Sequence, residues 1–307
     1  MLAGGVGAAR FLRGLVQRAD ERRVRVIVNT GDDEEFYGLH VSPDVDTIIY
    51  TLAGLANPTH GWGLRNETFN TLAALERFYG RAWFALGDRD LATHIYRTQR
   101  IRDGIPLSRV TAEIAARLGV KAGVIPMSDN RVRTFVKLRG RPDALPFQEY
   151  LVHRRARGAI ERIELRGIEA ATPVPAAIEA IESSAAIILA PSNPFVSLGP
   201  ILGLAPIREA LRAAKNRVAA VSPIVGGRTI KGPADKMMRG LGHEVSPLGV
   251  ARLYADCVGL FVLDNADRRH IASIESLGMR AIATDTIMTT PARAARLAGI
   301  VMTALAV

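Results

Sequence analysis

Cysteine is almost absent: Cys257 stands alone in 307 residues. A single thiol excludes an internal disulfide framework and fits a reducing cytoplasm. No uninterrupted apolar run is long enough to span a bilayer, and the chain does not open on a basic segment, an apolar stretch and a small-residue cleavage site. These absences predict a cytoplasmic protein acting away from the membrane. Lysine is scarce as well, confined to positions 121, 137, 215, 231 and 236, and aromatic residues make up only 6% of the chain. The formal charge of +10 is therefore carried mostly by arginines. Many of them stand beside acidic residues, as in "LERFYGRAW" and "IERIELRG", without interleaved aromatics on which bases could stack. The charge suits steering of a small anionic substrate better than tracking of a polynucleotide.

What is present is a 48% hydrophobic chain in which apolar β-branched runs alternate with helical patterns, the signature of βαβ units and a parallel sheet. Strands are expected at 24–30, 185–192, 217–223, 258–264 and 279–285. Helices are expected near 8–18, 45–55, 67–79, 89–101, 107–118, 173–183, 205–214, 233–241, 248–255 and 290–304. The stretch from about 131 to 166 breaks the alternation and reads as short antiparallel strands or a small subdomain inserted in one α/β domain spanning 1–307. Most of the strands end in Asn, Ser or Asp, on the side where open α/β sheets place their ligands.

The opening "MLAGGVGAARFLRGL" carries Gly4, Gly5, Val6 and Gly7 ahead of a helical pattern. Backbone N–H groups at such a helix start can meet a phosphate, although a tight βα turn explains the glycines equally well. No Lys-Ser/Thr pair follows, so ordinary P-loop hydrolysis is disfavoured. Hardly any strand precedes the glycines. A strand of typical length requires several more apolar residues before Met1, which fits either a truncated start or one assigned late.

Acidic residues gather after the 24–30 strand in "NTGDDEEFYGLHVSPDVDT". Asp44 and Asp46, flanked by Ser42 and Thr47, can cap the next helix. Two aspartates exceed what one cap needs, and with Asp32 and Asp33 they offer hard oxygen ligands for Mg²⁺. Glu34 and Glu35 read as solvated loop. In "LGDRDLATH", Asp88 or Asp90 can cap the helix carrying Thr93 and His94, while Arg89 can grip an anion through its guanidinium fork. "MSDN" places Ser128 and Asp129 on a polar turn. "APSNPFVSLGPIL" holds Ser192, Asn193, Ser197 and Gly199 on a proline-stiffened loop, and "VSPIVGGRTIKGPADKMM" brings Gly226 and Lys231 within reach of an anion. No His/Cys metal cluster and no nucleophile elbow occurs.

These blocks, in this order and over nearly the whole chain, resemble the 2-phospho-L-lactate transferase family of coenzyme F420 biosynthesis. "LGDRDLATH" and "SNPFVSLGPIL" are the longest and most specific, joined by "GGVGAARFL", "KGPADKMM" and "TIMTT". The resemblance implies a Rossmann-like, Mg²⁺-dependent homodimer. It implies transfer of a phospholactyl group, or in actinobacterial relatives a phosphoenolpyruvyl group, from a guanylylated donor to the deazaflavin Fo, with release of GMP. On this expectation Asp44, Asp46 and Arg89 are catalytic, and Asp44, Asp46 and Asp32 hold the metal. Thr47, Asp88, Thr93, His94, Ser128 and Asp129 join them in binding substrate. Gly4 to Gly7, Ser192, Asn193, Ser197, Gly199, Gly226 and Lys231 face the nucleotide. Trp62 and Phe36 could flank the flavin-like ring, though ordinary packing explains both. Two other readings stand beside this one. A nucleotide-sugar or NAD(P)-dependent Rossmann enzyme would use Asp32 for a ribose, but the glycine spacing is not Gly-x-Gly-x-x-Gly. A non-catalytic guanine-nucleotide module would bind GMP or GTP without turnover.

Overall fold

The computed structural model describes residues 1–306. Its centre is a seven-stranded, wholly parallel sheet: β1 (Leu2–Ala3), β2 (Arg25–Val28), β3 (Gly123–Pro126), β4 (Ile187–Leu189), β5 (Val218–Val221), β6 (Leu260–Asp264) and β7 (Arg280–Thr284). Their order across the sheet is β7-β6-β5-β4-β1-β2-β3, with every neighbouring pair parallel. This is the doubly wound, Rossmann-like arrangement, and its direction of winding reverses between β1 and β4, where such sheets open a ligand crevice.

The five strands expected from the sequence are all present. The first strand is short but fully used: Leu2 pairs with Ile27 on one side and Leu189 on the other. Two residues suffice because both are completely buried, with helices packed over each sheet face. β3 is not among the strands expected from the sequence. It forms because Val124 and Ile125 extend the buried surface of β2.

Helix α1 (Gly5–Leu15) begins three residues before the expected position, since Gly5, at φ +73°, turns the chain directly from β1 into the helix. Then come α2 (Pro43–Leu52), α3 (Asn70–Tyr79), α4 (Asp90–Arg102) and α5 (Leu107–Arg117). None of the helices among the described residues is long and apolar enough to cross a membrane. Residues 131–166 form a three-stranded antiparallel sheet, with Arg133–Leu138 between Ala144–Pro146 and Ile160–Arg166.

Helix α1 packs on the C-terminal helix Pro291–Ala304, and Gly14 makes the approach possible. A Cβ there would fall far inside van der Waals distance of the Ala294 carbonyl. Gly14→Ala should therefore destabilise the fold by about 1–3 kcal/mol despite alanine's better helix propensity. A lower denaturant midpoint with an unchanged m-value would show it.

Candidate active site

The crevice at the β1/β4 reversal is a cavity of about 550 Å³. Its acidic wall comes from the loop after β2 and the first turn of α2. Ser42 and Pro43 open that helix, but neither aspartate of the turn caps it. Asp44 reaches across to α1 and β2 instead, accepting from Gly5 N at 2.8 Å and from Asn29 Nδ2 at 2.9 Å. Gly4 must lack a side chain for this approach, because a Cβ would stand 2.8 Å from Asp44 Oδ2. The simple capping explanation of the aspartate pair is thereby set aside.

Asp32, 6% exposed, keeps Oδ1 buried without a hydrogen-bond partner, and Asp33 Oδ1 is in the same condition. Burial and the charge of Asp44 push the Asp32 carboxyl well above the usual range. Burial also lifts Asp44 to about 6, opposed by its bonds from Asn29 and Gly5 and reinforced by the Asp33 charge. Two buried carboxylates that raise each other's affinity for a positive charge suit a hard cation.

Asp46 is arranged differently. Arg97, completely buried on α4, holds both its carboxylate oxygens, one of them through Nη1 at 3.1 Å. Arg97 Nη1 also donates to His94 Nδ1 at 3.3 Å, which leaves the ring's Nε2 hydrogen facing Asp90 Oδ2 at 3.2 Å. Tyr50 donates to Asp90 Oδ1 at 2.6 Å and lies 2.8 Å from Thr93 Oγ1. Burial pushes Asp90 up, but His94 and the Tyr50 hydroxyl outweigh it and hold the group low. Asp46, Asp90 and His94 lie close enough together to resemble a metal triad. The guanidinium of Arg97 already occupies Asp46, so the donor set that fits a cation is Asp32 with Asp44. Asp46, expected to join Asp32 and Asp44 in holding a metal, is instead paired with Arg97 and stands with Asp90 and His94.

The neighbouring part of the lining is cationic and carries the backbone of the start of α1, whose Gly5 N–H is taken by Asp44. Gly4, Gly5, Val6 and Gly7 line it together with Arg10 and Lys231. Lys231 donates to the His60 carbonyl, and burial together with the Arg10 charge lowers its pKa. Ser192, Asn193 and Ser197 close this end. Ser192 Oγ donates to the Gly4 carbonyl at 2.8 Å, while Asn193 Oδ1 accepts from Phe195 N at 2.9 Å. The mouth is aromatic, with Trp62, Trp83 and Phe84. Phe36 stays behind that surface, stacked on Phe84 at 4.1 Å between centroids.

Several residues singled out from the sequence stand outside the cavity. Arg89 donates to the Arg65 carbonyl at 3.0 Å instead of facing an anion. Asp88 caps α3, accepting from Thr71 N at 2.8 Å and Asn70 N at 3.0 Å. Asp129 caps α5 through Ser108 N at 2.6 Å, and Ser128 Oγ donates to the Thr172 carbonyl. Gly199 starts a short helix, and Gly226 N donates to Asp267 Oδ2 at 2.8 Å. Thr93 acts through Tyr50. Thr47 and His94 do line the cavity. Arg10, Asn29, Tyr50 and Arg97 were not picked out from the sequence, and Asp90, expected as a cap, is the first residue of α4 and binds Tyr50 instead. The spacing of Asp90 and Arg97 from His94 along one face of α4 was the signal available for those two.

The acidic loop is also braced by the 131–166 sheet. Thr134 N donates to the Gly31 carbonyl at 2.7 Å, and Arg133 pairs with Glu34. Glu34 is thus half-buried and engaged, where solvated loop was expected.

Comparison with known proteins agrees with this architecture. A member of the UPF0052 family from Bacillus halodurans superposes with a TM-score of 0.67 at 15% identity, covering 98% of this chain and 97% of that one, which supports the fold alone. A phosphoenolpyruvate transferase of Streptomyces griseus is 44% identical over 295 residues, covering 94% of this chain and 92% of the relative. A 2-phospho-L-lactate transferase of Methanosarcina mazei is 37% identical over 304 residues, covering 99% of both. The family model described as 2-phospho-L-lactate transferase CofD matches residues 1–297. On that match and these identities, the chain belongs to the 2-phospho-L-lactate transferase CofD family.

Proposed function

We propose that this protein transfers a phosphoenolpyruvyl or phospholactyl group to the deazaflavin Fo. The donors would be enolpyruvoyl-2-diphospho-5'-guanosine or lactyl-2-diphospho-5'-guanosine, giving dehydro-F420-0 or F420-0 and releasing GMP. The observation that carries the reading is the Asp32–Asp44 pair facing the glycine-led start of α1 within one cavity. A ribityl hydroxyl of Fo attacks the phosphorus bearing the enolpyruvyl or lactyl group. A new P–O bond forms, the P–O bond to GMP breaks, and the hydroxyl proton passes to Asp44 directly or through one water. Arg10, Lys231 and the N–H groups of Val6 and Gly7 balance the charge of the donor's phosphates, the Gly5 N–H being held by Asp44. Ser192, Asn193 and Ser197 lie on the nucleoside side, and Trp62, Trp83 and Phe84 receive the ring of Fo. Asp32 and Asp44 would hold Mg²⁺, which would neutralise oxygens of the transferring phosphoryl group. Asp46, held by Arg97, ties the first turn of α2 to α4.

Incubating the protein with Fo, Mg²⁺ and each donor, and following GMP and the deazaflavin product by mass, tests the assignment directly. Product with neither donor overturns it. The enolpyruvyl donor comes first, since the Streptomyces phosphoenolpyruvate transferases (42–44% identical) are nearer in sequence than the Methanosarcina phospholactate transferases (35–37% identical).

The two tryptophans of the chain, Trp62 and Trp83, both line the cavity. Binding of Fo should consequently quench most of the intrinsic tryptophan fluorescence in a saturable manner. Unchanged emission at Fo concentrations that support turnover would place the acceptor elsewhere.

A further inference from the structure

Beside the catalytic cavity lies a smaller cleft of about 110 Å³, and Arg10 lines both. Its other walls include Arg13, one turn further along α1, with Thr51, Asn57 and the backbone of Gly54 and Gly61. No carboxylate lines it. Among the described residues neither Arg10 nor Arg13 makes an ion pair, and Arg13 Nε is buried without a hydrogen-bond partner. A buried guanidinium N–H with no acceptor is costly unless something supplies one. The surrounding groups are poor in free acceptors. The Gly54 carbonyl is already taken by Arg65, and Asn57 Oδ1 accepts from Thr59 N at 2.9 Å and His60 N at 3.2 Å. The polar side chains along its walls are those of Arg10, Arg13, Asn57 and Thr51, each carrying hydrogen-bond donors. That donor set matches a tetrahedral oxyanion.

We propose that the Arg10–Arg13 cleft is a second anion subsite, taking a phosphate-type group and coupled to the catalytic cavity through their shared Arg10. The occupant is either free inorganic phosphate or the phosphate of a nucleotide whose remainder lies in the main cavity. An anion here draws Arg10 away from the donor's phosphates, so a free one acts as an inhibitor.

Titrating the full chain with inorganic phosphate by calorimetry at low ionic strength tests the assignment without reference to turnover, so failure of the transferase reading would not affect it. Two sites are expected. Arg13→Gln should weaken one by about 10-fold, the scale of a lost charge-assisted hydrogen bond, and Lys231→Gln should weaken the other. Arg13→Lys keeps the charge but not the fork, and should fall between wild type and Arg13→Gln at an unchanged melting temperature. A parallel GMP titration separates the sources. An Arg13→Gln effect on GMP affinity marks the nucleotide's own phosphate, and unchanged GMP affinity marks a free anion. The proposal is overturned if Arg13→Gln binds phosphate with wild-type stoichiometry and affinity, or if wild type binds a single equivalent that Lys231→Gln abolishes.

Discussion

Asp44→Asn is expected to lower turnover by about 10²–10⁴-fold, the usual range for loss of a positioned proton acceptor, while the protein stays folded. The stability argument has two opposing parts. An amide can accept from either Gly5 N or Asn29 Nδ2 but not both, and the unmet bond costs about 1–3 kcal/mol. Against this, the substitution removes a buried charge that repels Asp32. The second part depends on pH, and its direction is fixed. Asp44 titrates at about 6 in the fold against an ordinary value of 3.8. A carboxyl raised on folding favours the native state at low pH, and that contribution is lost as pH climbs from about 4 to about 6. In metal-free buffer, wild type should therefore lose up to about 3 kcal/mol relative to Asp44→Asn across this window. If Asp32 and Asp44 hold Mg²⁺ as proposed, the ion should reverse the loss and a chelator restore it. Paired denaturation curves at pH 4 and pH 7, with and without Mg²⁺, read both effects. A pH-independent difference between the two proteins would remove Asp44 from its assigned place.

The second large effect is expected at Arg97. Arg97→Met keeps the volume of a completely buried side chain but leaves the Asp46 carboxylate without its countercharge. Breaking a buried ion pair from one side costs about 3–5 kcal/mol, a large fraction of a typical domain's stability of about 5–15 kcal/mol. Burial already raises Asp46 against the pull of Arg97 and His94. Without Arg97 it rises further, so the variant should be least damaged in acid and lose more stability as pH rises. Asp46→Asn in the Arg97→Met background should recover most of the loss. Strictly additive effects in that double-mutant cycle would mean the two residues do not act as a pair.

These two residues also mark how far the sequence could be read. The parallel sheet was legible because Val26 to Val28, Ile187 to Leu189 and Leu260 to Leu263 are continuous apolar runs, as strands covered on both faces must be. β1 was not, since two residues carry no periodicity and its strand character comes from neighbours distant in sequence. The cluster of Asp32, Asp44 and Asp46 stood out because charge beside a buried strand contradicts its surroundings. Its division into an acidic pair and a guanidinium-locked partner did not, because Arg97 lies 51 residues from Asp46. Arg89 was preferred for the opposite reason: it stands between two aspartates in the chain, and local sequence cannot distinguish a turn at the surface from one turned inward. Arg10 was passed over on an ordinary amphipathic helix, although its position one turn beyond the glycines makes it the nearer cation to any phosphate held there.

The brace between the 131–166 sheet and the acidic loop bears on what counts as the smallest working unit. The parallel sheet owes none of its strand pairing to the insertion, so trimming residues 131–166 is an obvious route to a minimal scaffold. Yet Gly31 and Glu34, on either side of Asp32 and Asp33, are clasped by Thr134 and Arg133. A trimmed scaffold would keep the strand pairing of the parallel sheet, uncover Val196 and Met237, and release the strap that keeps two like charges side by side. The insertion behaves as a clamp on electrostatic strain, and the modularity visible in the topology ends where the carboxylates begin.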